Sequence, residues 1–263
     1  MKETYRKEFM TLFDKFSYRY SNWQVWNDFL LMTAVSFANA IRTPEWEKRE
    51  QEYLAVISRY KKEEQEFFPQ MIGMATLALD ENPEQDFLGE MYMILNLNQH
   101  QKGQFFTPYH NCVLMAEIQT MDLSADSIAL QKKGYLSVND PACGAGAMLI
   151  AFANVADKKG LDYQKQVLFV AQDIDRTAAL MCYVQLSLLG CQAIVIVGDS
   201  LAKPGMHPDN EIWYTPMYCL NAWRYLREED KKKHEKEILT LISGKQLQEE
   251  AGGQLNFFRE DAS

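Results

Sequence analysis

The sequence has no apolar run long enough to span a bilayer. Its longest, Phe29 to Ile41, is broken by Thr33, Ser36 and Asn39 and falls short of the ~20 residues a spanning helix needs. The opening MKETYRKEF has no apolar stretch of the secretory kind, so no signal peptide is expected. The five cysteines, Cys112, Cys143, Cys182, Cys191 and Cys219, include no CxxC pair, and the four histidines have no metal-ligand spacing. A disulfide framework and a metal site are therefore not expected, and a reducing cytoplasm is. Positive charge is also scarce. Against 36 acidic residues stand 27 basic ones, for a net charge of −9, and the deficit is spread along the chain. With no basic arm or stripe, DNA binding would need most of its phosphate grip from another molecule. What is present is 47% hydrophobic residues in 263, enough for a substantial core.

The first hundred residues have helical periodicity. Trp23, Trp26, Phe29, Leu30, Phe37 and Ile41 recur at three- and four-residue steps. Thr43-Pro44-Glu45 has the form of an N-cap followed by proline in the first turn, opening a helix with Trp46, Tyr53, Val56 and Tyr60. Asn82-Pro83 is a break, and a further helix is expected from about Gln85 to Leu97. After Gly103 the pattern changes. Strand-like runs at 135–138, 167–171 and 193–197, with a shorter one at Glu211–Tyr214, alternate with helical segments at 148–156 and 177–189. That alternation predicts a parallel sheet with crossover helices. Three parts follow: a helical domain at 1–98, an α/β domain at 99–225, and a charged helix with a tail at 226–263.

Four stretches carry chemistry. Asp140-Pro141-Ala142-Cys143-Gly144-Ala145-Gly146 leaves a strand and opens a helix, and its glycines allow a tight turn and close ligand approach. The third small residue of a dinucleotide loop is replaced by Leu149, which disfavours a pyrophosphate cradle. Asp173-Ile174-Asp175 ends the next strand, where a carboxylate can accept both ribose hydroxyls and Asp175 can cap the following helix. Gly198-Asp199-Ser200 ends the third; its Asp can accept from an exocyclic amine or simply close a turn. Gln104-Phe105-Phe106-Thr107-Pro108-Tyr109 precedes the sheet and, alone, reads as a core anchor with a helix cap.

Taken in order, GQFFTP, DPACGAG, QDID and GDSL resemble the N6-adenine DNA methyltransferase family, and within it the methylation subunits of type I restriction–modification systems. The resemblance covers roughly residues 85–220. It implies a Rossmann-like methyltransferase core with a partly truncated, doubly wound sheet and one S-adenosylmethionine site. Gln104, Phe105, Phe106, Thr107, Pro108 and Tyr109, with the loop Asp140, Pro141, Ala142, Cys143, Gly144, Ala145 and Gly146, would hold the methionine end. Asp173 would bind the ribose, Ile174 would flank the adenine, and Asp199 with Ser200 would receive the adenine amine. The family's catalytic Asn-Pro-Pro-aromatic string is absent. Thr215-Pro216-Met217-Tyr218 stands at a compatible spacing, implying Thr215 and Pro216 as acceptors for the N6 protons and Tyr218 as a stacking ring. DNA, brought by a partner specificity subunit, and a protein partner completing the sheet are the implied partners. A catalytically inactive cofactor-binding or accessory module and a glutamine or small-amine N-methyltransferase remain open alternatives.

Overall fold

A computed structural model describes residues 2–97 (except 17), 106–121, 123 and 134–221. The expected 226–263 helix and tail, and Gln104 and Phe105, lie outside them. Helices come first: α1 (Lys2–Asp14), α2 (Asn22–Ala38), α3 (Trp46–Ile57), α4 (Lys62–Gln65), α5 (Phe67–Glu81), α6 (Phe87–Ile94) and α7 (Tyr109–Gln119). The α/β part follows as β1 (Leu136–Asp140), α8 (Ala147–Lys158), α9 (Tyr163–Gln166), β2 (Val167–Asp173), α10 (Arg176–Leu188), β3 (Gln192–Val197), β4 (Glu211–Tyr214) and α11 (Pro216–Asn221).

The helix ends follow local chemistry. Ser21 caps α2 by accepting from the Gln24 amide, Asp86 caps α6 by accepting from Gly89, and Asp175 caps α10 by accepting from Thr177. The α5 helix stops at Asn82, whose extended backbone is what the following proline demands. Thr43 does not cap α3. That helix starts at Trp46 after a turn in which the Trp46 amide donates to the Thr43 carbonyl, leaving the Thr43 hydroxyl buried and unbonded. The α2 helix is buried from Val25 through Val35 almost without interruption, rather than along one stripe. It lies between α3 and α10, so both of its sides are covered. Phe9, Phe13, Phe16, Trp26, Phe29, Phe87 and Tyr92 form the aromatic centre of these helices, mostly edge to face.

The described sheet has four strands in the order β1-β2-β3-β4. β1, β2 and β3 are parallel, and β4 runs antiparallel to β3, with Ile194 opposite Tyr214 and Val197 opposite Glu211. This corrects the all-parallel reading. The connection of 13 residues forms turns and no crossover helix, and the chain returns along the neighbouring edge. Among the described residues the expected double winding is not seen either. The described strands show no reversal of order, and α8 and α10 lie side by side, with Gly146 at the start of α8 against Cys182 of α10. Phe169 meets Phe152 of α8, whereas Ser137, Asn139, Leu168, Val170 and Ile194 are exposed or half-buried. Residues Met1–Leu220 make one compact unit. Arg49 of α3 donates to the Ile212 carbonyl at 2.7 Å and stacks over Trp213, while Arg176 bridges Glu52 and Glu211.

Candidate functional site

Parallel strands deliver their carboxyl ends to one edge of the sheet, and the loops leaving those ends are the natural ligand-binding place of such a fold. Here β1 ends at Asp140, β2 at Asp173 and β3 at Val197, with Asp173 and Val197 in register. The loop after β1 folds back onto β2. The Cys143 amide donates to the Gln172 carbonyl at 3.0 Å, and the Gly144 amide donates to Asp173 Oδ2 at 2.8 Å. Asp173 Oδ1 accepts from the Asp175 amide at 2.9 Å, and Asp140 Oδ1 accepts from the Ala142 amide at 3.1 Å. Each Asp173 oxygen has two lone pairs, so a carboxylate already holding two amides can accept two further hydrogen bonds.

Two glycines are required by geometry. Gly144 has φ +54°, and a Cβ there would lie 3.0 Å from the Phe106 ring; Gly146 has φ +95° and would press on Cys182. Side chains rarely adopt such φ values, so the loop keeps its bare backbone. Burial pushes the carboxyls of Asp140 and Asp173 above the ordinary range; their hydrogen bonds to the loop amides oppose the shift, and neighbouring carboxylates add to it. Asp199 is different. Its Oδ1 accepts from the Ala202 and Leu201 amides, which hold its carboxyl below the ordinary range, and it closes the turn after β3. Ser200 is half-buried beside it, and Ile174 stands 69% exposed next to Asp173, an apolar plate at the mouth of an acidic site.

Phe106, Pro141, Ala142, Cys143, Gly144, Ala145, Asp140, Asp173, Ile174, Asp199 and Ser200 thus belong to the loops at the carboxyl ends of β1–β3 or pack on them. Cys143 is a buried thiol that donates weakly to the Gly144 carbonyl. Thr107 and Pro108 are exposed, and Pro108 precedes α7. Tyr109 turns to the side of α8, where its hydroxyl accepts from Asn154. That is about 12 Å along the helix from Gly146, so Tyr109 anchors α7.

Thr215, Pro216 and Tyr218 are not brought to this edge. Because β4 is antiparallel, it ends beside the start of β3, roughly 15 Å along the strands from the β3 carboxyl end. Thr215 is wholly buried; its hydroxyl donates to the Cys191 carbonyl at 2.7 Å and accepts from the Ala193 amide at 2.9 Å. Pro216 begins α11, and Tyr218 stacks on Tyr214 with ring centroids 5.1 Å apart. This segment ends a strand and caps a helix, and its spacing from Asp199 does not reveal the reversal of direction.

Three buried polar residues tie these loops together, Gln172 of the QDID stretch and two that the sequence did not single out, Gln185 and Asp86. Gln172 donates to the Gly198 and Lys203 carbonyls and accepts from Gly205, fixing the loop after β3. Gln185 and Asp86 connect the glycine loop to α6. The available signal was polarity in the wrong place, as with Gln185 inside the apolar MCYVQLSLL. Among the described residues no group of three or more His, Cys, Asp or Glu could hold a metal, and no helix is long and apolar enough to cross a membrane.

Three parallel strands with intervening helices, a glycine loop opening a helix and an acid at the next strand end define an α/β domain. The chain belongs to the N-6 DNA methylase family, whose pattern it matches over residues 83–248, more than half its length. No curated protein matches it.

Proposed function

We propose that this chain binds S-adenosylmethionine at the carboxyl ends of β1–β3 and serves as the cofactor-holding part of a DNA adenine-N6 methyltransferase resembling a type I methylation subunit. The observation that carries the reading is the clasp between Asp173 and the Gly144 amide. It sets a carboxylate with spare acceptor capacity against a loop that turns on two bare glycines. The residues fit the cofactor: Asp173 has acceptor capacity to spare, Ile174 offers an exposed apolar face for an adenine, and Gly144 and Gly146, packed by Phe106 and Cys182, let the loop turn tightly enough to present its backbone. Asp140 and Asp173 give the mouth a sign that suits a sulfonium and an ammonium group. When bound, the cofactor supplies an activated methyl group. The chain's own work is to orient it, with Asp173 accepting from the ribose hydroxyls and the loop backbone lining the methionine end.

Transfer to an adenine amine also needs acceptors for the N6 protons, placed beside the loop so that the lone pair localises toward the methyl group. Thr215 is spent on β3 and cannot serve. The outer edge of β1 carries no strand among the described residues. A partner chain adding there, and DNA held by a specificity subunit, complete the proposed assembly; the scarcity of positive charge agrees with phosphate contacts supplied elsewhere. Calorimetry with S-adenosylmethionine and S-adenosylhomocysteine tests the cofactor reading without assuming a substrate. Micromolar binding by the wild-type chain is the expected result, and absence of heat with both ligands overturns it.

A further inference from the structure

The glycine loop is held from behind as well as from β2. Gln185, in the middle of α10 and fully buried, donates from Nε2 to the Ala145 carbonyl at 2.9 Å and to Asp86 Oδ1 at 2.7 Å, while its Oε1 accepts from the Leu88 amide at 3.0 Å. Both amide protons face acceptors and the oxygen faces a donor, so only one orientation of this side chain satisfies all three partners. Asp86 is held by the Gly89 amide at 2.9 Å, and a Cβ on Gly89 would collide with its carboxylate. A second arm leaves the same helix: the Tyr92 ring packs on Phe106 with centroids 5.4 Å apart, and Phe106 lies over Gly144. One short helix of the leader therefore grips the loop at successive residues, 144 through a ring and 145 through a hydrogen-bonded amide.

We propose that Gln185 is a positioning residue for the glycine loop, and that it and Asp86 transmit the placement of α6 to the backbone that receives the cofactor. The part concerning the cofactor rests on the proposed function; the part concerning loop order does not. A group that only filled space at position 185 would leave the Ala145 carbonyl unpaired, and the loop would then be hydrogen-bonded on its β2 side alone, with only the Phe106 ring behind it. Gln185→Glu is the discriminating change, because it keeps the shape and removes both donors. At neutral pH it sets a carboxylate against Asp86 and a carbonyl; on protonation one donor returns. The titratable neighbours of Asp86 are Glu90 on its own helix and Tyr109 and Cys112 on α7. Arg6 of α1 is paired with Glu90 and donates to Gln85 rather than to Asp86, and none of the groups acting on Asp86 is a cation.

Hydrogen exchange on the ligand-free full chain reads the loop directly. In Gln185→Glu at pH 7.5, the amides of 142–146 should exchange at least tenfold faster than in wild type, with α2 and α5 unchanged. Asp86→Ala, which cuts only the α6 end, should give more than threefold. Asp86→Asn, which keeps an oxygen for Gln185 and Gly89, should stay within threefold. Calorimetry with S-adenosylhomocysteine should show Gln185→Glu at least tenfold weaker at pH 7.5 and substantially recovered at pH 5.5. Loop exchange within threefold of wild type in Gln185→Glu overturns the proposal whether or not the cofactor binds. If that variant does not fold, unchanged loop exchange in Asp86→Ala overturns it. Wild-type protein that binds no cofactor, with the exchange pattern as expected, overturns the proposed function and leaves the clamp standing.

Discussion

Asp173 holds the glycine loop of its own chain, and a second task, toward the ribose, is proposed for it; substitution tests both. Asp173→Ala removes the acceptor for Gly144 and the proposed partner of the ribose. With each charge-assisted hydrogen bond contributing about 1.5–3 kcal/mol, cofactor affinity should fall at least ~100-fold in a titration. Asp86 makes a different prediction. Burial, only partly offset by the Gln185 and Gly89 donors, pushes its carboxyl up to about 6 from an ordinary 3.8. The folded chain then binds a proton more readily than the unfolded chain between those values, so the contribution of this group to stability is present below pH 4 and is lost as pH rises through 6. The difference corresponds to on the order of 3 kcal/mol. Urea unfolding of wild type and Asp86→Asn at pH 4.5 and 7 should show the wild type losing more stability with rising pH than the variant; parallel losses would refute the assignment.

At the scale of elements, the reversal of β4 decides what Thr215 is for. A hydroxyl that donates to Cys191 and accepts from Ala193 joins the end of β4 to the start of β3. Thr215→Ala should therefore cost about 1–3 kcal/mol in unfolding free energy and leave cofactor affinity within twofold; a large loss of affinity in a stable variant would return this segment to the site. Gly146→Ala should do the opposite. Its φ of +95° and the Cys182 contact make the start of α8 strained with any side chain, so loop order and cofactor binding suffer together. The strands were legible because Val167–Ala171 and Ala193–Val197 are β-branched or apolar runs bounded by turns, and the glycine loop because two glycines stood between a strand and a helix. Asp175 was readable as a cap from its place before an apolar helix. The direction of β4 was not legible. Antiparallel and parallel edge strands share the same alternation, and only the register with β3 distinguishes them. Gln185 was hidden for a related reason, since one polar residue in an apolar helix does not say which distant carbonyl it meets.

For the whole molecule, the helices before the sheet are part of its core. The α10 helix is buried from Thr177 to Gln185, and α2 forms one of its covers. A fragment starting at 83, where the family match begins, exposes that apolar surface. We expect it to be insoluble or molten by proton NMR, whereas a dispersed spectrum would show that the α/β part stands alone. Charge gives a second expectation at this scale. With a net charge of −9, the purified chain should bind duplex DNA weakly in a filter or anisotropy assay, and a tight complex with a steep salt dependence would contradict it.

The bond from Arg49 to the Ile212 carbonyl spans 163 residues. During synthesis the arginine leaves the ribosome long before its partner exists. At about 5–20 residues per second the interval is roughly 10–30 s. For most of that time α2 has no α10 to lie against, and Arg49 waits without the tryptophan on which it will stack. The nascent leader is thus an apolar helical surface awaiting its cover, and it will depend on a chaperone or on slow association more than the finished protein does.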